Sequence, residues 1–107
     1  MTSMEKNGIS KQYLKSRPVC KVTFLLPKEA VSSTEQVFVV GDFNDWNEDA
    51  TPMSRRKNGD FAAVVELTPG KEYRYRYCID RVRWENDQQA DRFVPNMFGG
   101  EDSLIVV

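Results

Sequence analysis

The chain has 107 residues, a mass of 12.3 kDa and a formal net charge of −1, which fits one domain and excludes a binding domain joined to a separate catalytic barrel. Its acidic pI of about 5.5 argues against a nucleic-acid partner, because phosphate backbones bind basic surfaces. The sequence contains no histidine, which excludes His-dependent triads, His metal ligands and His-based pH switches.

The first part of the chain is basic, whereas the rest is net acidic. We predict a basic N-terminal arm over residues 1–18, which is either solvated or docks on another protein. Ser10 is a candidate N-cap for a short helix that reaches Leu14. The helix is expected to end at Arg17, because a residue that precedes a proline avoids helical backbone angles.

From Val19 onward the pattern is one of short strands separated by turn residues, which indicates an all-β sandwich or barrel. The predicted strands are Val19–Leu26, Val37–Val40, Phe61–Leu67, Tyr73–Ile79, Val82–Glu85 and Leu104–Val107. The fourth alternates most clearly, with tyrosines on a core face and Arg74, Arg76 and Cys78 on the other. The two arginines are candidates for a solvated face paired with Glu66 or Glu72 across the sheet.

The two cysteines, Cys20 and Cys78, belong to no CxxC pair, so neither a zinc site nor a redox motif is predicted. We interpret both as small buried hydrophobic residues, and one disulfide stays open if their strands are neighbours. Apolar runs are too short for a transmembrane span, and the N-terminus lacks the apolar core of a signal peptide. We therefore expect a cytoplasmic protein with no cofactor, no metal and no membrane partner.

The two tryptophans, Trp46 and Trp84, occur in polar surroundings. Trp46 ends a turn-rich stretch after the second predicted strand, in which we expect Phe43 to anchor the turn in the core and Asn44 to shape it. Trp84 lies in or beside the fifth predicted strand. A tryptophan in a small β domain is most often a core residue, and alternation alone does not decide which face of the Trp84 strand is solvated.

The stretch Val37–Trp46 resembles the strand and G-x-F-N-x-W turn of family-48 carbohydrate-binding modules. These include the glycogen-binding domains of AMP-activated protein kinase beta subunits and the early-set domains of isoamylases and glucan-branching enzymes. Tyr75–Asp80 is similar to the Y-[KR]-[FY]-x-[VI]-D strand of this family, and Trp84–Asp87 to its W-x-x-D segment. Ala90–Leu104 resembles the closing loop and last strand of bacterial stand-alone members. The resemblance covers residues 19–107, which we expect to form the glycogen-binding-like domain.

The resemblance implies an immunoglobulin-like β-sandwich of the early-set type, with a shallow glucan site on one side. The carbohydrate-binding residues that it implies are Trp46, Arg76, Trp84, Phe98, Gly100 and Asp102. The two tryptophans match aromatic platforms, Arg76 matches a basic residue between them, and Phe98 matches an apolar prop for the sugar ring. Gly100 falls in a loop that offers backbone contacts. Asp102 departs from the asparagine common in glycogen binders. The difference matters because an ionised carboxylate accepts hydrogen bonds from sugar hydroxyls but donates none.

We predict a non-catalytic module that binds an α-glucan polysaccharide of the glycogen or starch type, or a malto-oligosaccharide. The alternative is a protein-interaction or regulatory domain that docks on a glucan-branching or debranching enzyme or on a kinase-like partner. The basic arm and the Asp102 departure motivate that alternative. A glycosidase is disfavoured, because the sixteen carboxylates show no recognisable acid–nucleophile pair and the family's catalysis resides in a separate barrel.

Overall fold

The computed structural model of the protein describes residues 9–31 and 36–107. Within these ranges the chain forms nine strands and two short 3₁₀ turns, and no helix there is long and apolar enough to cross a membrane. The strands are β1 (Ser10–Tyr13), β2 (Cys20–Leu26), β3 (Val37–Gly41), β4 (Ser54–Arg55), β5 (Phe61–Leu67), β6 (Glu72–Ile79), β7 (Arg83–Glu85), β8 (Arg92–Pro95) and β9 (Glu101–Val106). The 3₁₀ turns are Lys28–Ala30 and Asp42–Asn44.

The strands pair into two antiparallel sheets. The first has the order β1-β2-β5-β4, and the second has the order β3-β6-β9-β8, with β7 paired to the C-terminal part of β6. Apolar side chains from both sheets form one buried core, in which the rings of Phe24 and Tyr75 lie 4.9 Å apart. Removal of this apolar surface from water stabilises the fold. The architecture confirms the predicted all-β, immunoglobulin-like sandwich.

Strand β6 has two chemically distinct faces, in agreement with its alternating sequence. Tyr75 and Tyr77 are fully buried in the main core. Cys78 points to the opposite side, where it joins Phe38 of β3 in a small cluster on the outer face of the second sheet. Both tryptophans pack against that second cluster, so β6 separates the core of the sandwich from the face that carries them.

The helix predicted from Ser10 to Leu14 is wrong, because these residues include an edge strand of the first sheet. Strand β1 pairs with β2, with Ser10 opposite Thr23 and Tyr13 opposite Cys20. The Lys11 ammonium donates to Asp91 at 2.9 Å, and the Tyr13 hydroxyl donates to the carbonyl oxygen of Val107 at 2.8 Å. These partners lie far away in sequence, so tertiary contacts decide the conformation. The arm's residues 1–8 lie outside the described residues.

Further differences concern strand boundaries and unpredicted strands, and β9 begins at Glu101 rather than at the predicted Leu104. Val82 lies outside β7 and is 83% exposed, because its N–H closes the turn at Asp80 and Arg81 by donating to the Ile79 carbonyl oxygen at 3.1 Å. Strand β8 occupies part of the stretch predicted as a closing loop, and the two-residue β4 was not predicted. Both are short edge strands whose sequences carry little alternation.

The two cysteines are free and buried, as predicted for small hydrophobic residues. Cys20 belongs to the main core between the sheets, whereas Cys78 belongs to the outer cluster of the second sheet. The two thiols therefore form no disulfide.

Candidate functional site

A depression of about 550 Å³ lies on the outer face of the second sheet, within the size range of ligand sites. It is lined by Trp46, Arg74, Arg76, Trp84, Asn96, Met97, Phe98 and Asp102. Five of the six residues implied by the resemblance are thus brought together. Gly100 is the exception, since it does not line the depression.

The turn that presents Trp46 begins at Gly41, the last residue of β3. A Cβ atom at Gly41 would lie 2.3 Å from the Arg74 carbonyl oxygen and 2.7 Å from the Tyr75 Cβ, so no other residue fits without a shift of the backbone. The Gly41 carbonyl oxygen accepts the Trp46 N–H at 2.9 Å. Close strand packing at Gly41 therefore fixes the point at which the chain turns toward the depression.

Side chains inside this turn hold its shape. The Asn44 amide accepts from the Gly41 N–H at 3.0 Å and donates to the Val39 carbonyl oxygen at 3.0 Å. The ring of Phe43 stacks on Phe24 of the core at 5.4 Å. Both observations confirm the roles predicted for Phe43 and Asn44, which anchor and shape the turn.

Trp46 itself is held in a fixed orientation. Its backbone has a φ of 58°, in the left-handed region that a bulky residue rarely adopts. Its indole Nε1–H donates to the Asp42 carboxylate at 2.9 Å, and that carboxylate also accepts the Arg74 N–H at 2.8 Å. The indole is thus held in one orientation over the sheet.

Trp84 reaches the same face from the hairpin that follows β6. It lies directly opposite Cys78 in the β6–β7 pair, and Cys78 lies opposite Phe38 in the β3–β6 pair. These three side chains therefore form a row across the outer face, in which the half-buried indole of Trp84 rests on the two buried neighbours. Cross-strand packing of this kind positions the second tryptophan.

The carboxylate of Asp102 is buried and engaged on both oxygens. Asn96 Nδ2 donates to Oδ1 at 3.1 Å, and Arg74 Nη1 donates to Oδ2 at 3.4 Å. The Arg74 group also donates to the Pro95 carbonyl oxygen at 3.1 Å. The predicted pairing of Arg74 with Glu66 or Glu72 is wrong, since Glu66 pairs with Arg17 and Glu72 pairs with Arg92.

Arg76 also lines the depression but, unlike Arg74, it does not pair with a carboxylate of the described residues. It is half-buried, and its Nε atom is covered without a hydrogen-bond partner. The one carboxylate in the lining belongs to Asp102, whose oxygens are taken by Asn96 and Arg74. Among the described residues, Arg76 therefore has no counter-charge of its own.

The loop between β8 and β9 forms one lip of the depression. Met97 and Phe98 are 89% and 87% exposed at its tip. The Asn96 side-chain oxygen accepts the N–H groups of Phe98 at 2.9 Å and of Gly100 at 3.1 Å, which keeps the loop tight. The backbone N–H of Gly100 is thus used inside the loop.

A second depression, of about 580 Å³, lies beside Asp87 and contains no tryptophan or arginine in its lining. Tyr75 and Tyr77 donate hydroxyl hydrogen bonds to the Asp87 carboxylate at 2.7 Å and 3.1 Å. Burial raises the pKa of Asp87, and hydrogen bonds from Gln89 and the two tyrosines offset part of that rise. Asp87, the last residue of the W-x-x-D segment, therefore ties loop and core together. In the described ranges, no three acidic or cysteine side chains are placed to hold a metal ion.

Three residues of the first depression were not predicted as binding residues, namely Arg74, Asn96 and Met97. For Arg74 the signal existed, because the alternation of β6 places it on the same face as Arg76. Asn96 and Met97 lie in a loop, where periodicity carries no information about side-chain direction.

Comparison with known proteins agrees with this geometry. A sequence model of the family described as the glycogen recognition site of AMP-activated protein kinase matches residues 31–100, more than half of the chain. The match includes the turn of Trp46 and the strand of Arg76. No curated protein matches the chain. The chain therefore belongs to the glycogen-recognition family of family-48 carbohydrate-binding modules, which are non-catalytic glucan-binding domains.

Proposed function

We propose that this chain binds an α-glucan of the glycogen or starch type by stacking sugar rings on Trp46 and Trp84. One observation carries the proposal: both tryptophans of the chain, separated in sequence by the three strands β4, β5 and β6, line the same depression. Each indole is half-buried, packing on the cluster around Cys78 and leaving part of its surface to solvent. An aromatic surface of this kind suits a flat apolar ligand face.

The chemistry of glucose matches the rest of the lining. A glucose ring carries C–H groups on its faces and hydroxyls around its rim. Covering about 50–80 Å² of apolar surface per sugar contributes about 1–2 kcal/mol at ~25 cal/mol/Å². Arg74, Arg76 and Asn96 supply donors for the rim. Arg74 and Asn96 are already oriented by Asp102, so the carboxylate acts on the sugar through the donors it positions.

The expected affinity is modest. Two platforms and a few hydrogen bonds must offset the lost rigid-body freedom of the ligand, so we expect a Kd of roughly micromolar to millimolar for a short oligosaccharide. A glucan polymer presents many equivalent segments side by side, which raises the effective concentration at the site.

Intrinsic tryptophan fluorescence, titrated with maltoheptaose and with β-cyclodextrin, tests the proposal. The only two tryptophans line the depression, so no other tryptophan dilutes the signal. We expect a saturable change with one affinity. Absence of any change at millimolar sugar would overturn the assignment.

The variant Trp46→Ala identifies the site, because Trp84 still reports on binding. We expect affinity to fall by about tenfold, the loss that corresponds to one sugar face. Phe93→Ala is a matched control, since it removes a partly exposed aromatic ring outside the depression. Glycogen in a native gel should retard the control variant like the original chain and retard Trp46→Ala less.

The alternative, docking on an enzyme, rested on two features that both have another explanation. Asp102 accepts hydrogen bonds from Arg74 and Asn96, and Ser10–Tyr13 of the basic arm forms an edge strand. In the described ranges no observation favours an enzyme or kinase-like partner over glucan.

A further inference from the structure

The lining of the glucan depression carries a net positive charge, although the chain as a whole is slightly acidic. It contains two arginines and a single carboxylate, whereas the whole chain has a net charge of −1. Asp102 cannot neutralise both arginines, because its oxygens accept from Arg74 and Asn96. The excess charge is therefore located at Arg76.

Arg76 is held where water can solvate it only in part. Arg76 lies opposite Val40 in the β3–β6 pair, its side chain is half-buried, and its Nε atom is covered and unpaired. Its other guanidinium nitrogens have no partner among the described residues. A partly desolvated cation gains more from an anion than from a neutral hydroxyl, because two opposite charges add a Coulomb attraction that is stronger where water is partly excluded.

We propose that the depression prefers an anionic glucan, namely a malto-oligosaccharide chain that bears a phosphate monoester, with the phosphoryl group at Arg76. The proposal rests on the proposed function, since the same indoles hold the sugar. A guanidinium suits this ligand because its planar fork pairs with two phosphoryl oxygens at once. The sugar faces then supply the stacking, and the phosphoryl group supplies the counter-charge that the site lacks.

The test compares maltoheptaose with maltoheptaose that carries one 6-phosphate monoester, by tryptophan fluorescence. We expect the phosphorylated sugar to bind about tenfold tighter at low salt. The advantage should shrink in about 1 M NaCl, because salt screens the charge pair. Inorganic phosphate in excess should reduce the advantage while the neutral sugar still binds.

Substitutions locate the effect. Arg76→Gln is expected to bring the ratio of the two affinities to about one, and Arg76→Lys to retain part of the preference. Arg56→Gln is a matched control, because it removes one exposed positive charge outside the depression and should leave the ratio unchanged. If Arg76→Gln leaves the ratio of the affinities for the phosphorylated and the neutral sugar unchanged, the proposed role of Arg76 is refuted.

The two proposals fail in different ways. Equal affinity of the original chain for both sugars would overturn the anionic preference and leave neutral glucan binding in place. No binding of either sugar would overturn both. If Arg76→Gln does not fold, the salt series and Arg76→Lys still decide the question.

Discussion

At the scale of single residues, Trp46 has a strained backbone at the depression that it lines. Asp45 and Trp46 both have a φ of 58°, and two consecutive left-handed residues without glycine cost on the order of 1 kcal/mol each. The strain is retained by the hydrogen bond from the Trp46 N–H to Gly41 and by the contact of the indole with Asp42. The orientation of the platform is thus maintained at the expense of stability.

This strain predicts an unusual order of stabilities among variants of Trp46. Trp46→Gly should be more stable than Trp46→Ala, with a free energy of unfolding about 1 kcal/mol higher, because glycine adopts positive φ freely. At Val82, which is exposed and has no positive φ, alanine should instead be more stable than glycine. Urea unfolding of the four variants measures both differences. A more stable Trp46→Ala would refute the strain.

Some features of the site could be predicted from the sequence, whereas others could not. Alternation placed Arg76 on the outer face of its strand, and the G-x-F-N-x-W pattern placed Trp46 in a turn. The engagement of Asp102 by Arg74 and Asn96 could not be predicted, because it joins β6, β9 and a loop whose relative position depends on the whole sandwich. The substitution of aspartate for asparagine therefore suggests a lost sugar contact in the sequence but supplies an anchor in the structure.

At the scale of elements, β1 closes one edge of the first sheet and joins it to the end of the second. Its backbone pairs with β2, and Lys11 donates both to Asp91 and to the Val106 carbonyl oxygen, the latter at 2.7 Å. The sequence Ser-Lys-Gln-Tyr has no apolar alternation, so neither its strand state nor its partners could be predicted from local pattern. The central strands, in contrast, bury one face, so their alternating apolar and polar residues predict where these strands lie.

Loss of β1 should therefore cost stability. A chain that lacks residues 1–13 is expected to be less stable by roughly 3 kcal/mol than a chain that lacks residues 1–8, because four strand residues and two side-chain anchors are lost. The newly exposed edge of β2 should also promote association. Urea unfolding and light scattering measure the two effects, and equal stability of the two chains would show that β1 contributes nothing.

At the scale of the whole molecule, one buried carboxylate joins strands that are distant in sequence. Asp87 accepts from two tyrosines of β6, and its own N–H donates to the hydroxyl of Ser103 in β9 at 2.9 Å. The residue is 2% exposed, so burial raises its pKa above the ordinary value of 3.8. The network stabilises the fold through hydrogen bonds, while ionisation of its centre opposes folding.

The sign of the pH dependence follows from this raised pKa. Protonated Asp87 makes its full contribution to the free energy of unfolding below pH 3.8, the ordinary pKa of an aspartate. This contribution is lost as the pH rises through the raised pKa of the folded state. We compare the original chain with Asp87→Asn, which keeps an acceptor for the tyrosines and does not titrate. The original chain should lose about 1.4 kcal/mol of relative stability for each pH unit between the unfolded-state and folded-state pKa of Asp87. Urea unfolding as a function of pH measures the difference, and parallel curves for the two chains would contradict it.

The two faces of β6 have a consequence for how this domain tolerates sequence change. Alternate residues of this strand face opposite sides, so a substitution at Arg74 or Arg76 alters the lining of the depression and a substitution at Tyr75 or Tyr77 alters the core. An insertion or deletion of one residue within β6 exchanges the two sets, so that tyrosines face the depression and guanidinium groups face the interior. The chemistry of the depression can therefore change through point substitutions, whereas the length of this strand is constrained by both of its faces.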